Sequence, residues 1–230
     1  MLIQNLNKII FIHGWLFGSY IWKDMQGCFP NVSSNELVSL PGYHKFRTKE
    51  CAQEVIDTIL GSAKKNVMII AYSHTATRIL SSSELSKCNA TIILINPFLK
   101  PKTCAVSTLK DNLIKDFDSA VKKFIFDSVK GNNFTKTNFI KLRDLFYSNY
   151  VPKKDSLILE LDEMTNLNVS KFKVNLKENL VILLSDNDEV CDTEMINDFK
   201  LNKINTVTLK NSPHYPFFDF NEICETIELL

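Results

Sequence analysis

The 230-residue chain has no Cys-x-x-Cys pair, no strong charge of either sign, no long apolar run and only four histidines. Each absence removes a class of function. The six cysteines, Cys28, Cys51, Cys88, Cys104, Cys191 and Cys224, show neither metal-ligand nor dithiol spacing. Zinc and dithiol redox sites are therefore not expected, and the cysteines read as buried, reduced thiols of a cytoplasmic protein. A formal net charge of +1 argues against a general nucleic-acid binder. No run approaches the ~18 apolar residues that a membrane-spanning helix needs. Residues 1–8 lack a charged segment followed by a long apolar stretch, so a secretory signal is not expected. No repeat or low-complexity segment stands out.

What is present is an ordinary globular composition, 45% hydrophobic and 23% charged, enough for one domain with a sizeable core. Six short apolar runs recur: 8–12, 36–40, 66–71, 91–95, 179–184 and 205–209. Several are β-branched-rich and bounded by Gly, Pro or Asn, as buried parallel strands are. Helical spacing lies between several of them. Cys51, Val55, Ile56, Ile59 and Leu60 share one face, Ala76, Ile79, Leu80 and Leu85 another, and Ile223, Ile227 and Leu230 a third. The alternation predicts an α/β fold, with a mostly parallel central sheet flanked by helices.

Residues 99–170 differ. They show no convincing strand, and helical spacing recurs at Phe117, Val121, Phe124 and Ser128 and at Phe139, Leu142, Leu145 and Phe146. The predicted division is a core of residues 1–98 and 171–230 with a helical insertion at 99–170. Residues 100–154 hold 12 Lys/Arg against 5 Asp/Glu, a net +7, whereas the rest of the chain holds 15 against 21, a net −6. The charge is thus polarised, although a solvated lysine-rich surface would look the same.

The chemistry-bearing stretch is Ala71-Tyr72-Ser73-His74-Thr75, directly after an apolar run. A strand that ends in small-x-Ser-x-small and opens a helix is the sequence form of a nucleophile elbow, with Ala71 and Thr75 where glycines are usual. An N-cap serine would look similar. A serine hydroxyl needs a base to take its proton and a third group to orient that base. Of the histidines, His13 reads as a turn residue, His44 sits in a loop, and the His74 side chain points away from the hydroxyl. His214, between the last strand and the last helix, is the best base. The orienting acid is Asp188, favoured over Asp186 in the same loop. The oxyanion donors are expected to be the backbone N–H groups of His74 and Trp15. The histidines show no metal-ligand spacing, and neither a metal nor a cofactor is expected.

Phe11-Ile12-His13-Gly14-Trp15, Leu40-Pro41-Gly42-Tyr43, the Ser73 elbow, Asp188-Glu189-Val190 and Ser212-Pro213-His214-Tyr215-Pro216-Phe217 together resemble α/β-hydrolases over nearly the whole chain. His13-Gly14-Trp15, with the insertion around Val121-Lys122-Lys123-Phe124 and Leu142-Arg143-Asp144-Leu145, is similar to the BioH-type pimeloyl-acyl-carrier-protein methyl ester esterases. The segment 157–172 resembles the return of their helical cap to the sheet. The resemblance implies an α/β-hydrolase fold with a cap and hydrolysis of a methyl ester at the far end of a carrier-bound acyl chain. It also implies docking of an acidic acyl carrier protein on Lys122, Lys123, Lys141 and Arg143, and an apolar channel formed by Trp15, Phe124 and Phe146. A generalist short-chain esterase or thioesterase, and a binding protein that kept the fold without the chemistry, remain the alternatives.

Overall fold

The computed structural model describes residues 6–44, 51–99, 103–131, 133–167, 179–191 and 204–230. Six strands, β1 (Lys8–Ile12), β2 (Ser34–Val38), β3 (Val67–Tyr72), β4 (Thr91–Ile95), β5 (Leu180–Ser185) and β6 (Asn205–Leu209), form one sheet in the order β2-β1-β3-β4-β5-β6. Every neighbouring pair is parallel. Side chains alternate between faces along a strand, so a strand buried at every position is covered on both sides. β4 and β5 are buried throughout and β3 at all but its first residue. Edge strands β2 and β6 are partly exposed.

The helices follow the strands as expected. α1 (Ala52–Ser62) joins β2 to β3, α2 (His74–Ser81) joins β3 to β4, and α7 (Phe220–Glu228) follows β6. α1 buries Ala52, Ile56 and Leu60. Cys51 is an exposed N-cap rather than part of the apolar face, and Glu54 completes a capping box with it. α2 stops at Ser81, and Leu85 reaches the core from a separate 3-10 turn, Ser83–Ser86. Among the described residues between β4 and β5 lie four helices, α3 (Thr103–Lys115), α4 (Phe117–Val129), α5 (Thr135–Tyr147) and α6 (Lys154–Asn166). Residues 168–172 of the expected return segment lie outside the described residues. No helix among the described residues is long and apolar enough to cross a membrane.

Chain order reverses beside β1, with β2 on one side and β3 on the other. Open parallel sheets bind ligands beyond the carboxyl ends of their strands at such a switch point. The loops after β1 and β3 meet there.

The cysteines correct one expectation. Cys28 and Cys224 form a disulfide across 196 residues, with Cα atoms 6.1 Å apart, while Cys51 and Cys104 are exposed. The pairing is invisible to spacing because only the fold lays α7 against the 3-10 turn Met25–Cys28. Alkylation of the oxidised, denatured chain should label four cysteines and leave Cys28 and Cys224 unlabelled until reduction. Reduction should cost about 2–5 kcal/mol of stability, the upper end being the chain-entropy value for a bridge that closes so long a loop. Denaturant midpoints with and without reductant check this.

Candidate active site

Ser73 stands between β3 and α2 with φ 55° and ψ −123°, in the left-handed half of conformational space. It occupies the N-cap position of α2 but makes no side-chain cap bond. Its Oγ instead lies 2.9 Å from Nε2 of His214. The turn is buttressed from both sides. The Ser73 N–H donates to the Ile95 carbonyl at 2.7 Å, and the Thr75 hydroxyl donates to the His13 carbonyl at 2.5 Å. Thr75 thus ties the elbow to the loop after β1, a link that glycine could not make.

The glycine this turn needs lies across the sheet. A Cβ on Gly14 would stand 2.9 Å from Tyr72 Cδ1 and 3.0 Å from both Ser73 Cβ and the Tyr72 carbonyl oxygen. Any side chain there would push the loop after β1 away from the elbow.

His214 is buried, and Nδ1 lies 2.7 Å from Asp188 Oδ2. The other Asp188 oxygen accepts the N–H groups of Val190 and Cys191, both at 2.8 Å. Asp186 is exposed and accepts from the Ser212 N–H instead, so the acid facing the imidazole is Asp188. The His214 carbonyl accepts from the Tyr72 hydroxyl at 3.0 Å and from Asn96 Nδ2 at 2.8 Å. Asn96 is itself left-handed, with φ 49°, and its Oδ1 accepts from the Ser185 N–H. Tyr72 and Asn96 escape sequence reasoning as site residues. The signal for Asn96 is an asparagine directly after a buried strand, since Asn adopts left-handed backbone more readily than most residues. In such a chain, an imidazole fixed by a carboxylate can accept the serine proton.

His13 is buried and neutral: burial pulls its pKa down to about 4, although the bond to the Gly14 carbonyl opposes this. Its Nε2 accepts from the Leu40 N–H at 3.0 Å, so it fastens the loop after β2 to the loop after β1. The His74 imidazole is buried too, with its pKa held low first by burial and then by the Arg78 charge. As the first residue of α2, His74 contributes a backbone N–H that has no acceptor within the helix.

A cavity of about 500 Å³ opens on Ser73 and is lined in part by Trp15, Phe98, Phe124, Leu161 and Met164. Trp15 packs edge-on against Phe124, with ring centres 4.8 Å apart, and its indole N–H donates to the Leu157 carbonyl. Phe146 is not among the lining residues. It is fully buried in α5, because helical spacing identifies an inward face without saying whether core or cavity lies beneath it. The four basic candidates are distributed over α4 and α5. Lys122 is exposed, Lys123 pairs with Asp127 at 2.6 Å and borders the cavity, Lys141 lies over the Phe218 ring, and Arg143 pairs with Asp144 at 2.7 Å.

Among solved structures, the chain is similar to MGS-M2, an α/β-hydrolase enzyme from a Medee basin deep-sea metagenome library, with a TM-score of 0.80. The two are 14% identical, and the match covers 98% of this chain and 88% of that one. The chain has the α/β-hydrolase fold. No protein-family model matches it. A curated relative from Wigglesworthia glossinidia brevipalpis, named pimeloyl-acyl-carrier-protein methyl ester esterase, is 24% identical over 91% of this chain and 87% of its own length. A relative of the same name from Vibrio campbellii is 19% identical over 93% and 90%.

In this hydrolase fold the helices between β4 and β5 are fastened to the switch point by buried polar groups. Tyr43 donates from its hydroxyl to Glu160 Oε2 of α6 at 2.5 Å and accepts from the Leu16 N–H at 3.0 Å. Arg78 of α2 pairs with Glu163 at 2.5 Å. Burial pushes the Glu160 carboxyl up from 4.5 to about 7, against the opposing pull of the Tyr43 hydroxyl and Arg78. Between those values the folded chain binds more protons at Glu160 than the unfolded chain does. Stability from this group is therefore full below about pH 4.5, falls as pH rises toward 7 and levels off above it. The loss should reach at most roughly 3–4 kcal/mol, since each tenfold change in proton affinity is worth about 1.4 kcal/mol. Urea unfolding at pH 5 and pH 8 should show this difference, and Glu160→Gln should flatten it.

Proposed function

We propose that the chain is a serine carboxylester hydrolase in which Ser73 is the nucleophile, His214 the general base and Asp188 its orienting acid. The observation that carries this is the continuous chain of short contacts beside an apolar cavity: 2.9 Å from Ser73 Oγ to His214 Nε2, then 2.7 Å from His214 Nδ1 to Asp188 Oδ2. His214 takes the Ser73 proton as Oγ attacks the ester carbonyl. The Trp15 and His74 backbone N–H groups receive the developing oxyanion. The alkoxide leaves with the proton from His214, and an acyl group remains on Ser73. Water, losing a proton to His214, then frees the carboxylate and restores the serine. Every proton passes through His214, and the chemistry uses only the chain's own groups and water.

The substrate we propose is the methyl ester of a pimeloyl chain carried on acyl carrier protein, with methanol the first product. The names of the two curated relatives and the polarised charge support this assignment. Residues 99–170 form the cap over a core of residues 1–98 and 171–230. Trp15 and Phe124 hold the acyl chain, while Lys122, Lys123, Lys141 and Arg143 meet the acidic carrier. The proposed setting is the cytoplasm, although a stable disulfide such as Cys28–Cys224 is rare in that reducing compartment. A generalist esterase or thioesterase is the second reading, favoured by the ion pairs that already engage Lys123 and Arg143 with carboxylates of their own helices.

A fluorophosphonate probe should label wild type at Ser73, and Ser73→Ala should abolish both labelling and ester hydrolysis. Labelling that survives the substitution would remove the proposed nucleophile, and a protein never labelled would favour the binding-protein reading. Lys122→Glu with Lys141→Glu should lower kcat/KM about tenfold or more on carrier-bound methyl ester while leaving a free p-nitrophenyl ester within about twofold. Steering charges act on encounter and docking rather than on the bond-breaking step. Equal losses on both substrates would favour the generalist.

A further inference from the structure

Cys191 plays no part in the proposed reaction, yet its sulfur lies 3.7 Å from His214 Nδ1. It carries a thiol, and it borders the same cavity as Ser73. The ligand atoms of Asp188, Cys191 and His214 all lie within 4.8 Å of one another. A carboxylate, a thiolate and an imidazole are the donor types that zinc takes, whereas magnesium and calcium prefer oxygen alone. In tetrahedral zinc sites with metal–sulfur bonds of about 2.3 Å and metal–nitrogen bonds of about 2.0–2.1 Å, sulfur and nitrogen ligands stand roughly 3.6 Å apart. The Cys191–His214 distance already matches that spacing. Asp188 Oδ2, at 2.7 Å from the imidazole, would have to draw back by about half an ångström to reach the ~3.3 Å that nitrogen and oxygen ligands keep.

We propose that Asp188, Cys191 and His214 form an inhibitory site for a thiophilic divalent cation of the zinc class, with water from the cavity as fourth ligand. The site is built by the loop after β5. Asp188 Oδ1 is held by the Val190 and Cys191 N–H groups, which brings the Cys191 backbone back toward the carboxylate and leaves Oδ2 for the imidazole or the metal. On binding, the Cys191 thiol gives its proton to solvent. The metal takes the Nδ1 lone pair, so the imidazole proton sits on Nε2. An imidazole protonated there has no lone pair with which to accept the Ser73 proton, and Asp188 no longer orients it. Metal and catalysis thus compete for one nitrogen. The inhibition rests on the proposed serine-hydrolase reading; the coordination itself does not.

Two readouts keep these apart. Cobalt(II) added to the intact, oxidised protein should give a thiolate-to-metal charge-transfer band that one equivalent of zinc removes, and Cys191→Ala should abolish it. Zinc should also inhibit p-nitrophenyl acetate hydrolysis, EDTA should reverse the inhibition, and magnesium should be without effect. For Cys191→Ala and Cys191→Ser, each measured against its own metal-free rate, the zinc inhibition constant should rise about tenfold or more, since even outer-shell changes alter metal affinity by about that much. Circular dichroism confirms that each variant is folded. No cobalt band in wild type, a band that persists in Cys191→Ala, or unchanged zinc inhibition in both variants overturns the site. A protein with the cobalt band but no esterase activity would overturn the hydrolase reading and leave the metal site standing.

Discussion

Everything at this site depends on a backbone turn that an ordinary residue adopts only under constraint. Ser73 has φ 55° without being glycine, in a region that costs roughly 1–3 kcal/mol and persists only where the surroundings over-determine it. The surroundings here are identifiable. The Ile95 carbonyl takes the Ser73 N–H, the Thr75 hydroxyl reaches the His13 carbonyl, and Gly14 leaves room for the loop after β1 to lie against Tyr72 and Ser73. The elbow carries Ala71 and Thr75 where glycines are usual, with Gly14 leaving space beside the turn and Thr75 anchoring it.

The same economy holds on the imidazole side. His214 sits in a loop, and loops wander unless something holds them. Its carbonyl is held by Tyr72 from β3 and by Asn96 from the end of β4, while Asn96 also binds Ser185 at the end of β5. Three adjacent strands thereby fix one peptide group. Asp188 meets the ring from the loop after β5 with one oxygen already committed to backbone. The cost of gathering these polar groups in a buried place is offset by nearly complete pairing among them.

Much of this was legible in the sequence. The buried strands read clearly because apolar runs covered on both faces have few alternatives, and β1, β4 and β6 fall at their expected residues. β2 is displaced two residues toward the N-terminus of its apolar run. As an exposed edge strand it has a weak pattern, and Leu40 belongs to the loop whose N–H binds His13. The adjacency of Asp188 and His214 could be anticipated because position after a strand is a topological property that sequence order preserves. What could not be read was three-dimensional adjacency between distant polar groups: Tyr43 with Glu160, Arg78 with Glu163, Cys28 with Cys224 and Cys191 with His214. Phe146 failed for a related reason, since its spacing was right but the face beneath it was core.

If Ser73 and His214 act as one unit, their losses cannot add. The decisive measurement is kcat for ester hydrolysis in Ser73→Ala, His214→Ala and the double variant. The account predicts that each single change costs roughly 10⁴- to 10⁶-fold and that the double variant is no slower than the worse single, because a base without its nucleophile has nothing to activate. Losses that multiply in the double variant, or a single variant that keeps most of its activity, would contradict it.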